Sequence, residues 1–212
     1  MKPLEIKKDI YWVGAVDWSS RDFHGYSLSP RGTTYNAYVV KDEKTVLFDT
    51  VKSPFIGELL CRTANLGKLE DIDYLVVNHL EPDHGGCLCE VIDAIKPEKV
   101  FCSPMGQRSM KAHYHGKVDN WPVQVVKTGD SVNIGSRNIH FVETRMLHWP
   151  DSMVSYIPED KLLICQDAFG QNIASSERFT DEVDKAGLIH AMREYYANIV
   201  LPYSSVVLKT LD

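Results

Sequence analysis

The sequence predicts an α/β fold in which sheet packs on sheet with helices outside, and three features of its pattern carry that expectation. The first third is rich in β-forming residues. The middle alternates short apolar strands with helices, and a second β-rich stretch then leads into C-terminal helices. Two β-rich halves with interleaved helices need two sheets whose apolar faces cover each other. With 212 residues the chain suits one large domain, able to bury a core without disulfide staples.

The elements follow in order. Ile10 to Gly14 reads as a short strand, and the runs Thr34 to Val40 and Lys44 to Asp49 flank the polar turn Lys41-Asp42-Glu43, which predicts a hairpin. Ser53-Pro54 resembles a helix start, with Ser as cap and Pro at the first helical position, in a helix running to about Asn65-Leu66-Gly67. Asp73 to Val77 is a strand of the buried type, and Cys87 to Ile95 is helical, with Pro97 beyond its end. Val100 to Cys102 is a short strand, and Pro104 to His115 a helix closed by Gly116. Further strands are expected over Val123 to Val126, Ser131 to Ile134, Ile139 to Thr144, Ser152 to Tyr156 and Lys161 to Cys165. A helix over about Asp184 to Val200, and the opening of another after Pro202, complete the pattern.

Composition narrows the function classes. An apolar fraction of 44% and a charged fraction of 25% are ordinary for a soluble globular protein. A net charge of -6 argues against a nucleic-acid surface, which needs a basic patch. No run approaches eighteen apolar residues, so no membrane span is expected, and Met1 to Asp9 lacks the apolar stretch of a secretory signal. The five cysteines are odd in number and lack zinc-finger spacing, which suggests reduced thiols in a cytoplasmic protein. Cys87 and Cys89, two apart on a helix, face different ways and read as buried hydrophobes.

The informative segment is Asn78-His79-Leu80-Glu81-Pro82-Asp83-His84-Gly85-Gly86, directly after a buried strand. A helix cap would need one polar residue here, whereas His79, Glu81, Asp83 and His84 offer four potential metal donors. In an extended backbone alternate side chains share a face, so His79, Glu81 and Asp83 would point one way and His84 another. Pro82 is expected to keep helix out of the cluster, and Gly85-Gly86 to turn the chain into the next helix. His148 and Asp167 follow later strands, and the strand ends of a packed sheet converge on one rim, so both are further candidate ligands.

The pattern H-x-E-x-D-H, then His148 in Leu147-His148-Trp149-Pro150-Asp151-Ser152, then Asp167 after a strand, resembles the flavodiiron proteins, also called A-type flavoproteins. The likeness extends over Trp18, Arg21 to Tyr26, Gly32 to Tyr38, Leu47 to Thr50, Glu143 to Met153 and Met192 to Ile199, and so covers nearly the whole chain. It implies a metallo-β-lactamase-like αββα four-layer sandwich over residues 1–212. By position, it implies His79, Glu81 and His148 on one iron, Asp83 and His84 on the other, and Asp167 bridging the pair together with hydroxide or oxo. His24 and Tyr195 match positions lining the gas pocket, Phe23 and Trp149 are further candidates for its lining, and Asp49 resembles a structural aspartate that holds the ligand loop.

The implied activity is reduction of O2 to water, of NO to N2O, or of both. Electrons would come from an FMN-binding flavodoxin-like domain or a rubredoxin-type donor, and chains would pair head to tail. The related zinc hydrolases carry histidine where this chain has Glu81. Three carboxylates and a bridging hydroxide would balance the four charges of two ferrous ions, which favours iron. The family has one further ligand, a histidine after the segment matching Leu201 to Asp212. The eight histidines here end at His190, which reads as structural. The iron domain is thus expected to be incomplete at its C-terminal end, with the flavodoxin-like domain absent, and these residues alone would support at most a single NO turnover or a partial O2 reaction. Two other readings stay open: a di-iron gas sensor without turnover, and a zinc-dependent hydrolase.

Overall fold

The computed structural model describes residues 1–23, 25 and 27–211. Eight short strands come first: β1 (Leu4–Lys7), β2 (Ile10–Trp12), β3 (Ala15–Asp17), β4 (Asp22–Phe23), β5 (Ser27–Leu28), β6 (Thr33–Tyr35), β7 (Tyr38–Val40) and β8 (Val46–Phe48). Helices and strands then alternate through α1 (Ile56–Ala64), β9 (Tyr74–Val77), α2 (Pro82–Gly85), α3 (Leu88–Ile95), β10 (Lys99–Cys102), α4 (Pro104–Tyr114) and β11 (Val123–Val125). The second β-rich stretch comprises β12 (Ser131–Asn133), β13 (Asn138–Glu143), β14 (Met153–Ile157) and β15 (Leu162–Ile164), and α5 (Lys185–Tyr195) and α6 (Ser204–Leu211) follow.

The larger sheet has the order β1-β2-β7-β8-β9-β10-β11, and the smaller is β12-β13-β14-β15. Strands β8 to β11 run parallel, and the smaller sheet is antiparallel throughout. Period-two alternation explains how the larger sheet serves two cores. Phe48, Val76 and Phe101 align across β8, β9 and β10 and pack with Ile139, Phe141, Met153 and Ile164 of the smaller sheet. Leu47, Leu75 and Val100 point to the opposite face, among Leu59 of α1, Leu88, Val91 and Ile95 of α3, and Met110 of α4. All four residues of β9 are buried, as a strand covered on both sides must be.

The outer face of the smaller sheet is more open, with Tyr156 37% and Leu163 44% exposed. Near the C-terminal helices, Tyr195, Ile199 and Val200 form a small apolar cluster with Val207 packed against it.

Several expectations change in detail. The run Thr34 to Val40 is two strands in different sheets, because β6 pairs with β3 while β7 pairs with β2 and β8. Ser53 caps no helix. A 3-10 turn over Ser53–Phe55 precedes α1, and the Ser53 hydroxyl donates to the Gly86 carbonyl instead. His115, with φ 52°, takes the turn after α4 that Gly116 was expected to make. Two caps follow ordinary rules: Ser103 accepts from Gly106 N–H at 2.9 Å before Pro104, and Asp184 accepts from Gly187 N–H at 2.8 Å. All five cysteines are free, and Cys87 is buried. Among the described residues no helix is long and apolar enough to cross a membrane.

Candidate metal centre

The candidate donors gather where the two sheets meet at one rim. Asp49, the Asn78–His84 segment and Ser103 follow the carboxyl ends of the parallel strands β8, β9 and β10, the usual location of sites in such sheets. The Asp49 carboxylate accepts from the Asn78 backbone N–H at 2.7 Å and so fixes the start of the ligand segment. The backbone stays extended only to Glu81. Pro82 then opens the short helix α2, so Asp83 and His84 lie on a helical turn. This corrects the expectation that Pro82 keeps helix out of the cluster and that His79, Glu81 and Asp83 share a face. Proline is tolerated at the first helical position because its missing N–H has no partner there to lose.

The smaller sheet contributes His148 from the loop between β13 and β14, and Asp167 from a 3-10 turn after β15. The sheets are joined beside these loops. Met153 N–H donates to the Asn78 carbonyl at 3.0 Å, Ser155 Oγ to Asn78 Oδ1 at 2.8 Å, and Ser103 Oγ to the Asp151 carbonyl at 2.8 Å. Three non-glycine residues adopt left-handed backbone beside the donors: Asp49 (φ 54°), Met146 (φ 66°) and Gln166 (φ 43°). Such sparsely populated conformations persist where packing over-determines them, and they concentrate at functional sites.

The donors sort into two groups that share one residue: His79, Glu81, His148 and Asp167, and Asp83, His84 and Asp167. In the first, His79 Nε2 lies 3.2 Å from Glu81 Oε2 and 3.4 Å from Asp167 Oδ2, and His148 Nε2 lies 3.1 Å and 3.3 Å from the same two oxygens. In the second, His84 Nε2 lies 3.1 Å from Asp167 Oδ1 and 3.8 Å from Asp83 Oδ2. Asp167 therefore presents one carboxylate oxygen to each group.

These residues fit a pair of metal ions. Donors about 2.0–2.2 Å from one first-row cation stand about 2.8–3.6 Å apart at octahedral to tetrahedral angles. The four separations in the first group fall in that range. His79 Nδ1 already pairs with Asp151 Oδ2 at 3.0 Å. If Nδ1 carries the proton, Nε2 turns a lone pair toward two carboxylate oxygens, an arrangement that calls for a cation between them. Asp83 Oδ1 is buried with no hydrogen-bond partner among the described residues, a polar atom left open for a ligand, whereas His84 Nδ1 faces Asp49 Oδ2 at 3.8 Å on the side away from Asp167.

The electrostatics carry the same message. Burial opposes charge on His79, yet Asp151, Glu81 and Asp167 hold its pKa at about 9. His148 is half-buried, which likewise opposes its charge, and is held at about 9 by Asp167 and Glu81. Burial also opposes charge on His84, but Asp167 and Asp83 carry it well above the usual range. Asp83 is pushed up to about 6 by burial, whereas the surrounding histidines outweigh burial at Asp167 and hold it well below the carboxylate range. The cluster draws positive charge to itself, the role a bound cation would fill.

A cavity of about 300 Å³ opens onto the second group, lined by Asp83, His84, Asp167 and Tyr195, with Phe23 and Asn172 among its other walls. Burial raises the Tyr195 hydroxyl well above its ordinary range, and the negative charge of Asp167, Asp83 and Glu81 adds to the rise, so the phenol keeps its proton. Trp149 packs edge-on against His79 at 5.2 Å. His24 lies outside the described residues. His190, expected to be structural, is a surface residue, its side chain 80% exposed and 3.9 Å from Glu194. Three contributors went unread in the sequence: Asn78, Asp151 and Gln166. Only Asp151 carried a signal, as the carboxylate three residues after His148.

Comparison with known proteins identifies the family and the fold. Residues 33–209 match the model of the ODP family beta lactamase. The chain is 57% identical, over its whole length and 52% of the relative's, to a rubredoxin-oxygen oxidoreductase from Megalodesulfovibrio gigas. It is 47% identical, again over its whole length and 53% of the relative's, to a nitric oxide reductase from Moorella thermoacetica. Among solved structures, rubredoxin oxygen:oxidoreductase from Desulfovibrio gigas superposes with a TM-score of 0.96 at 57% identity, over 99% of this chain and 52% of that one. A flavodiiron protein from Giardia intestinalis superposes with a TM-score of 0.95 at 36% identity, over 100% of this chain and 51% of that one. The chain spans about half the length of the curated relatives it matches. On the family match and these superpositions, the chain belongs to the ODP family of β-lactamase-like proteins and has the metallo-β-lactamase-like fold found in the flavodiiron proteins.

Proposed function

We propose that this chain is the di-iron part of a reductase that converts O2 to water, NO to N2O, or both. The single observation that carries the reading is the Asp167 carboxylate, which offers Oδ2 to His79 and His148 and Oδ1 to His84. On this reading His79, Glu81, His148 and Asp167 hold one iron and Asp83, His84 and Asp167 the other. Two bound irons would supply electrons and Lewis acidity to a small gas. The mixed set of three carboxylates and three imidazoles supports iron, because ligand type and geometry guide metal choice more than raw affinity does.

The protein's own groups have defined tasks. Asp151 holds the Nδ1 proton of His79 and thereby aims Nε2. Tyr195, protonated and lining the cavity, offers a hydrogen bond or a proton to the gas, and His24 is assigned the same duty from its sequence position. Names of relatives support the substrate class, since one is a rubredoxin-oxygen oxidoreductase and another a nitric oxide reductase. Electrons would come from an FMN-bearing flavodoxin-like domain or a rubredoxin-type donor, in a head-to-tail dimer. The five free thiols suit a cytoplasmic setting.

The test is anaerobic loading with iron, chemical reduction, removal of excess reductant and exposure to NO. The expected result is two irons per chain and up to one N2O per chain, since two NO consume the two electrons of a reduced pair. Iron uptake without N2O, or hydrolysis of nitrocefin by the zinc-loaded protein, would overturn the proposal.

A further inference from the structure

The two ligand loops of the smaller sheet lie beside each other without a backbone ladder between them. Strands β14 and β15 pair antiparallel, and their last register pair toward the site is Ser155 with Ile164. Beyond Ile164 the chain runs Cys165-Gln166-Asp167 alongside the loop that carries His148, and the sheet supplies no rung there. One side chain fills the gap. Gln166 Nε2 donates to the Leu147 carbonyl at 2.8 Å, and Gln166 Oε1 accepts from the Asp167 backbone N–H. The side-chain amide thus takes both roles of a peptide unit, joining the residue before His148 to the residue that presents its carboxylate to both donor groups.

The backbone reveals what this arrangement costs. Gln166 has φ 43°, a left-handed conformation that side chains with a Cβ avoid and glycine adopts freely. The turn that follows is closed by Ala168 N–H on the Cys165 carbonyl at 3.1 Å and Gly170 N–H on the Asp167 carbonyl at 3.1 Å. Glycine would suit the local backbone better, but it could not reach Leu147.

We infer that Gln166 is a positioning residue for the metal pair: its amide sets the spacing between His148 and Asp167, whose nearest donor atoms stand 3.3 Å apart. The inference rests on the two-metal reading. A clamp of this kind acts on the geometry of the donors and little on overall folding, so its loss falls on metal affinity. Loss of outer contacts of this type typically costs about 10–100-fold in metal affinity.

Two variants separate positioning from mere support of the fold. Gln166→Gly relieves the left-handed backbone and removes the clamp, while Gln166→Met keeps side-chain bulk and removes both hydrogen bonds. Each is titrated anaerobically with Co2+, read by its visible absorption and by competition with a chelator, and the metal-free proteins are unfolded thermally in parallel. The expected result is two Co2+ in the parent protein and an affinity about 10–100-fold weaker in both variants. The cobalt bands should be altered, and the metal-free midpoint of Gln166→Gly should be no lower than that of the parent. Parent-like affinity and bands in both variants would overturn the clamp while leaving the two-metal reading intact. So would an affinity loss that only tracks a lowered metal-free midpoint. A parent protein that takes up no Co2+ would overturn the two-metal reading and the clamp together.

Discussion

Replacing Asp151 by alanine removes the carboxylate oxygen on which two buried donors converge. Asp151 Oδ2 accepts from the Leu80 backbone N–H at 2.8 Å and pairs with His79 Nδ1 at 3.0 Å, and its residue is only 2% exposed. Hydrogen bonds to a charged group are worth about 1.5–3 kcal/mol each, and alanine leaves both partners buried without an acceptor. A loss of about 3–6 kcal/mol follows for the metal-free protein, a large share of the roughly 5–15 kcal/mol of a typical domain. The contact between Ser103 Oγ and the Asp151 backbone carbonyl survives the change, so the loop keeps one anchor. Urea unfolding of the metal-free protein measures the effect. Asp151→Asn is the control: it keeps an oxygen acceptor but not the charge, and neutral bonds of about 1 kcal/mol each should restore about half the loss. A loss below about 1 kcal/mol for Asp151→Ala would refute the reasoning, because desolvation of two orphaned donors cannot cost so little.

Two further outcomes follow from the fold. Phe101 is fully buried between the sheets, 5.4 Å edge-on from Tyr74 and 5.8 Å from Phe141, so Phe101→Ala should cost about 3–5 kcal/mol in urea unfolding. Burial would raise the pKa of Asp17, but hydrogen bonds from Ser19, Ser20 and Tyr35 outweigh it and leave the carboxyl below its ordinary value. A depressed pKa stabilises the fold above the unfolded value and loses that contribution as pH falls through the folded one. Asp17→Asn should therefore flatten the acid limb of a stability-against-pH curve below about pH 4, with a steeper or unchanged limb as the contrary result.

What could be read from the sequence was what side-chain type and period determine. The apolar runs of β8, β9 and β10 announce buried strands, and their alternation divides Phe48, Val76 and Phe101 from Leu47, Leu75 and Val100. The His79–His84 segment stands out because four donors in six residues exceed what a cap needs. The path of that segment is not legible in the same way, since Pro82 can either end extended backbone or start a helix, and local pattern does not say which. Ser53 fails as a cap because a tertiary partner, the Gly86 carbonyl, takes its hydroxyl. Asn78 and Gln166 were invisible for a related reason. Amides are common in loops, and their importance arises only when folding sets Ser155, Asp49 and Leu147 against them.

The most direct test of the central claim is anomalous diffraction from crystals of the anaerobically iron-loaded protein. The account predicts two iron peaks, one among His79, Glu81, His148 and Asp167 and one among Asp83, His84 and Asp167, with Asp167 touching both. A single peak, or two peaks with Asp167 bound to neither or only one, would contradict it.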